Sequence, residues 1–323
     1  MTEGLANILG QPTAELQRLY GIWSDGGAGL QISGNIHIDA DHLERPGNVF
    51  IHDRPDEDMM AALRAWTKAG TRAGNHFWAQ ISHAGRQTMR SVNPHPKAPS
   101  AVKLGLPGGQ FGIPVALTED EILNLIGRFG QAALHCKNGG FTGVQIHAAH
   151  GYLISQFLSP RSNQRNDRWG GSLENRARLL LEVTDAAIEV WGAGRVGVHL
   201  APRADSHDMG DANRTETFSY VARELGARGI AFICAREKAA DDSLSPMLKQ
   251  AFGGVFIANE RFTKEQANAW IAEGKADAVA FGIPFIANPD LPARLAQDAE
   301  LNTPHPETFY SQGPVGYLDY PTL

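Results

Sequence analysis

The 323 residues include only two cysteines, Cys136 and Cys234, which excludes a disulfide framework and makes a reducing cytoplasm the simplest home. Apolar runs are short, and even the stretch around Ala278–Ile286 falls well below the length that spans a bilayer. The opening Met1-Thr-Glu-Gly has neither a basic nor an apolar leader segment, so no secretory signal is expected. Positive charge is not in surplus either. The 29 Lys and Arg stand against 35 Asp and Glu, a net charge of −6, so no field is present to hold a phosphate backbone. Neither nucleic acid nor membrane is an expected partner. An early Gly-rich strand-to-helix fingerprint of the dinucleotide-binding sheets is also missing. No linker, repeat or low-complexity segment divides the chain, and one domain over residues 1–323 is expected.

What the chain does contain is alternation. Short, nearly continuous apolar runs predict strands at Gly29–Ile38, His76–Ala84, Gly143–His147, Val196–Ala201, Ile230–Ala235, Val255–Ala258 and Ala278–Phe281, as suits parallel strands covered on both faces. Amphipathic helices separate them. Thr118 with Glu121, and Thr263 with Gln266, are capping boxes, and Leu16, Leu19, Tyr20 and Trp23 mark a helix ahead of the first strand. Strict β–α alternation without the dinucleotide fingerprint predicts an α/β fold of the (β/α)8 TIM-barrel type. Seven strands are found where a closed barrel needs eight, so strand one is expected to be missing or truncated at the N-terminus. The Pro- and Gly-rich stretch Arg90–Pro114 predicts a loop excursion at about 87–115, over the end of the barrel where such folds place their chemistry.

The chemistry concentrates in Gln145-Ile-His-Ala-Ala-His-Gly-Tyr-Leu, which ends a strand and enters a loop. Once the strand stops and the backbone turns, His147 and His150 can converge, with Tyr152 beside them. Two imidazoles and a phenol are donors suited to a substrate carbonyl or nitro oxygen on which negative charge develops. A metal pair and two core histidines are the plainer readings of the same spacing. His-x-x-His has no clear third ligand nearby in sequence, so no metal is expected.

The motif continues through Gln156-Phe-Leu-Ser-Pro to Gly170-Gly-Ser-Leu-Glu-Asn-Arg-Ala-Arg. This long run closely resembles the signature of the old yellow enzymes, the flavin-dependent ene-reductases. Gln80-Ile-Ser-His-Ala-Gly-Arg upstream and Phe281-Gly-Ile-Pro-Phe-Ile-Ala-Asn-Pro-Asp-Leu downstream extend the resemblance over essentially the whole chain. The tail to Gly316-Tyr-Leu-Asp-Tyr-Pro-Thr-Leu looks most like the nitrate-ester and morphinone reductase branch.

The resemblance implies FMN as cofactor, with NADPH or NADH as reductant. It further implies substrates with an electron-withdrawing group: α,β-unsaturated carbonyl compounds, nitroalkenes or nitrate esters. His147 and His150 would bind the activating group and Tyr152 would protonate Cα. Thr2, Gly34 and Gln80 would contact the flavin, and Tyr310 would line the substrate pocket. His199 stands where the family carries an arginine facing the flavin N1–C2 edge. Asn259 and Gly282 stand at the phosphate end, where the usual Gly-Arg reads Gly282-Ile283 and the Gly-rich turn reads Ala258-Asn259-Glu260-Arg261. These departures support a rival reading, a flavin-free barrel that binds a ligand or a protein partner. Arg203 is a candidate substitute for the absent arginine, and ion pairs among Arg165, Asp167, Arg168, Glu174, Arg176 and Arg178 are expected to order the loop and the helix that follow the motif.

Overall fold

A computed structural model describes residues 2–203 and 207–323. Met1 therefore lies outside the described residues. Ten strands run in chain order: β1 (Leu30–His37), β2 (Val49–Phe50), β3 (His76–Ser82), β4 (Lys97–Ala98), β5 (Val115–Ala116), β6 (Gly143–Ala148), β7 (Val196–Leu200), β8 (Phe232–Arg236), β9 (Val255–Asn259) and β10 (Ala278–Ala280). Eight of them form one parallel sheet in the order β10-β9-β8-β7-β6-β3-β1-β2, with helices between successive strands. This is the α/β barrel expected from the alternation, and its seven long strands fall within a residue or two of the predicted ranges.

The sheet curls but does not close. Among the described residues β10 pairs only with β9, and no strand lies between β10 and β1. All seven predicted strands are present, and the place of the expected missing strand is unfilled among the described residues. The sequence reading missed β2, a two-residue strand that pairs along the outer edge of β1 at its C-terminal end, Ile36 with Val49 and His37 with Phe50.

Alternation along the strands sorts the side chains. Ile36, Ile81, Val144, Ile146 and Val198 face outward and meet Leu16, Leu63, Phe129 and Leu180 of the surrounding helices in the main core. Trp78, Phe232, Cys234 and Ile257 face inward and plug the barrel, the first two rings 4.9 Å apart. The helices begin where the sequence said they would. Both halves of the Thr118/Glu121 and Thr263/Gln266 capping boxes are formed. Within the stretch 87–115, β4 pairs with β5 in a separate two-stranded ladder, seated against the end of the barrel through the Lys97 N–H to His42 Nε2 bond of 3.0 Å. No helix among the described residues is long and apolar enough to cross a membrane.

Candidate active site

Strand β6 is buried along its whole length and delivers His147 one residue before its end. The chain then reverses through two successive left-handed residues, His150 (φ 57°) and Gly151 (φ 77°). A Cβ on Gly151 would lie 2.6 Å from Gln87 Nε2, so that position needs glycine for space as well as for its backbone. The reversal brings the three predicted residues together. The His147 and His150 rings lie 5.1 Å apart, and the Tyr152 ring stands 4.9 Å from His147.

Strand pairing adds a third imidazole. His199 on β7 is the register partner of His147, and its ring lies 5.2 Å from both histidines of the motif. Burial holds His147 and His150 well below the usual histidine range, reinforced in His147 by His199 and in His150 by His147 and His199, and pushes His199 down to about 3. All three rings are neutral at neutral pH. The Ala149 N–H donates to His147 Nδ1 at 3.2 Å, which leaves the proton on Nε2 and makes that nitrogen a donor. Burial, and after it the negative charge of Glu44, raises Tyr152 well above the ordinary phenol value, so it keeps its proton. Its hydroxyl donates to Glu44, which also receives Asn35 Nδ2 at 2.8 Å and Arg45 Nε at 3.3 Å.

A cavity of about 600 Å³ opens between β1 and β10 and reaches the barrel interior. Its lining includes Thr2, Gly34, Gln80, His199, Asn259 and Gly282, the six positions expected around the flavin. A break in the β1–β3 register between Ile32 and Asn35 marks a bulge at Ser33 and Gly34. Gly34 N–H donates to the Tyr20 hydroxyl at 2.8 Å, and a Cβ there would lie 3.2 Å from Thr2 Cα and closer still to Glu3. Thr2 Oγ1 accepts from the Asn35 N–H at 3.4 Å. Gln80 Nε2 donates to Gln145 Oε1 at 2.5 Å, while Gln145 Nε2, Gln31 Oε1 and both ring nitrogens of His199 are buried without a partner among the described residues. Those orphaned donors and acceptors line the cavity and suit a flat, polar-edged ring such as a flavin.

The positions expected at the flavin phosphate are furnished differently. Asn259 Nδ2 donates to Ala280 O at 2.9 Å, Glu260 is ion-paired with Arg236, and Arg261 Nε lies 3.7 Å from the same carboxylate. The acid at this end is thereby neutralised. Ile283 is 38% exposed and brings no charge.

One expectation needs correction. Arg203 does not line the cavity; Glu237 holds its Nε at 2.9 Å and Asp242 pairs with its other end. The arginines after the motif mostly serve backbone carbonyls: Arg176 Nε bonds Leu158 O at 2.9 Å and Arg178 Nε bonds Arg168 O at 2.8 Å. Ion pairs add to this: Arg165 pairs with Asp167, Arg168 with Glu119 and Glu182, and Arg176 with Asp211, so the expected ordering by ion pairs is present, with most partners outside the motif. Tyr310, expected in the substrate pocket and not around the flavin, is 54% exposed, with the Arg45 guanidinium 4.1 Å above its ring. Arg45 and Glu44 link it to Tyr152. The sequence reading missed Glu44 and Arg236, which lack any motif. It quoted Gln145 without a role, although two-residue alternation places Gln145 on the face of His147.

The model of the NADH:flavin oxidoreductase / NADH oxidase family matches residues 6–302. The 12-oxophytodienoate reductase 2 of Arabidopsis thaliana is 40% identical over 270 residues, covering 77% of this chain and 72% of that protein. A probable flavin mononucleotide-dependent alkene reductase of Leishmania infantum is 36% identical over 312 residues, 90% of this chain and 85% of its own. Among solved structures, the old yellow enzyme homologue from Zymomonas mobilis superposes with a TM-score of 0.94 at 36% identity, covering 100% of this chain and 94% of that one. Morphinone reductase superposes at 0.92 with 34% identity, covering 100% and 91%. These likenesses support the flavin reading and not the flavin-free barrel. The chain belongs to the NADH:flavin oxidoreductase / NADH oxidase family, as an old yellow enzyme that works with FMN and a nicotinamide reductant.

Proposed function

We propose that the chain is an ene-reductase whose His147, His150 and Tyr152 act on an activated carbon–carbon double bond. The observation that carries this is the convergence of two neutral imidazoles and a protonated phenol beside a cavity lined by all six expected flavin positions. FMN, when bound, supplies the hydride that reaches Cβ. His147 Nε2–H and the His150 ring donate to the carbonyl or nitro oxygen and stabilise the negative charge that builds there. Being neutral, they hold this oxygen without delivering the proton that Cα requires. Tyr152 gives that proton, and Glu44 keeps the phenol beside His147 between turnovers. Tyr310 and Arg45 frame the entrance to the substrate pocket.

The substrate is a small molecule bearing an electron-withdrawing group. The 323 residues act as one barrel domain with its excursion at about 87–115. The net charge of −6 and the two buried, unbridged cysteines support a cytoplasmic site of action without a nucleic-acid or membrane partner.

Steady-state reduction of a cyclic enone by the FMN-loaded protein tests the roles. Tyr152→Phe is expected to lower kcat by roughly 10²–10⁴-fold, the usual worth of a positioned acid, with little change in FMN binding. Unchanged turnover in that variant would remove Tyr152 as the acid.

A further inference from the structure

We propose that His147, His150 and His199 form a binding site for a divalent transition ion of the zinc class, with three imidazole ligands and an open fourth position. The motif alone offers only two histidines. The third comes from the neighbouring strand, whose register sets His199 beside His147. One ring nitrogen from each residue lies within 4.8 Å of the other two. Zinc–imidazole bonds are about 2.0–2.1 Å, so tetrahedral ligands sit about 3.4 Å apart, and modest side-chain rotation closes the set.

The second observation concerns what these rings lack. His199 is 8% exposed, yet among the described residues neither of its ring nitrogens has a hydrogen-bond partner, and His150 Nδ1 is likewise buried and unmatched. Buried imidazole nitrogens without partners are costly, and an ion would satisfy them. His199 also lines the cavity, so a water or a substrate oxygen has access to the fourth position.

Two features oppose the ion, and neither is large. Ligation through His147 Nε2 gives up the long 3.2 Å bond from Ala149 N–H to Nδ1. Arg236 directs positive charge at His150 and His199, but it is ion-paired with Glu260. A second cluster, Asp39, His42 and His83, shows the contrast. There His42 Nδ1 and Nε2 bond Asp39 at 3.0 Å and the Lys97 N–H at 3.0 Å, and Gly85 N–H donates to His83 Nδ1 at 3.0 Å. Arg128 already neutralises Asp39. Only His83 Nε2 is left unmatched in that cluster, whereas the first leaves both ring nitrogens of His199 and Nδ1 of His150 unmatched among the described residues.

The site shares two histidines with the proposed ene-reductase chemistry, so its test reads the ion directly and needs no turnover. Purified protein, without added FMN and again with it, is dialysed against Zn²⁺, and Co²⁺ is followed by its visible ligand-field bands. The expected result for the FMN-free protein is one ion per chain, with the strong bands of four- or five-coordinate cobalt. His199→Ala should weaken Zn²⁺ binding by about a hundredfold or more, since even outer partners of such ligands are worth 10–100-fold. His150→Ala, on the loop, serves as a second variant should His199→Ala fail to fold, and His305→Ala at an exposed position should leave binding unchanged. Loss of the cobalt bands on adding FMN supports the site by placing the ion beside the flavin cavity. Weak six-coordinate cobalt bands in the parent, or equal Zn²⁺ binding in the parent, His199→Ala and His150→Ala, overturns the proposal.

Discussion

One side of this barrel is closed and the other is open, and the two sides hold different parts of the site. Strands β6 and β7 are buried at every residue and paired on both edges. Strand β10 is three residues long, half-buried throughout, and paired on one edge among the described residues. The side chains proposed to handle proton and charge, His147, His150 and Tyr152, stand with His199 on the closed side. Asn259, Glu260, Gly282 and Ile283, the positions proposed for the flavin phosphate, stand on the open side. A close-packed wall fixes side chains to the tolerance that transition-state hydrogen bonds demand. A phosphate group is held by flexible cations and solvent and asks less of its surroundings.

The largest expected effect exposes the closed side to acid. His147, His150 and His199 there, with His37 on β1 and His83 after β3, are all buried with pKa values below the unfolded value near 6.5, burial being the leading cause in each. Their neutral forms suit the fold, so stability is fully present above pH 6.5. It is lost as pH falls, because the unfolded chain takes up protons that the folded chain refuses, until folded values near 4 for His37 and 3 for His199 are reached. Each such proton is worth about 1.4 kcal/mol per pH unit. Urea midpoints at pH 7, 5.5 and 4.5 should therefore drop steeply, and a flat series would contradict the neutral, buried histidines.

Packing gives the next effect. Ile146→Ala in β6 removes a fully buried side chain and should cost about 2–5 kcal/mol of unfolding free energy in denaturant titration. Smaller again is a gain on the open side. Ile283→Arg puts a bidentate cation at the phosphate end and is expected to tighten FMN binding about tenfold, as read by fluorescence quenching. The smallest is Val279→Ala in half-buried β10, expected below about 1 kcal/mol. Equal costs for Ile146→Ala and Val279→Ala would erase the distinction between the two sides.

The sequence made some of this legible and hid the rest for physical reasons. The barrel strands and capped helices were readable because each is specified by a local run or a three-residue box. His147, His150 and Tyr152 were readable because they follow one another along a strand end and turn. That His199 would stand 5.2 Å from His147 was not readable, since it depends on the register between β6 and β7. Glu44 was hidden because it lies in an irregular segment after β1 with no periodicity to mark it. β2 was hidden because two residues carry no alternation. Arg203 was misjudged because Glu237, which captures it, belongs to a different strand-to-helix connection.

The most direct test of the central claim is the visible spectrum of the protein after FMN loading and gel filtration, followed anaerobically through NADPH and then cyclohexenone. The account predicts flavin bands that co-elute with the protein, bleach with NADPH and return with the enone, the return slowed roughly 10²–10⁴-fold in Tyr152→Phe. A protein that emerges colourless, or reduced flavin that the enone leaves bleached, contradicts it.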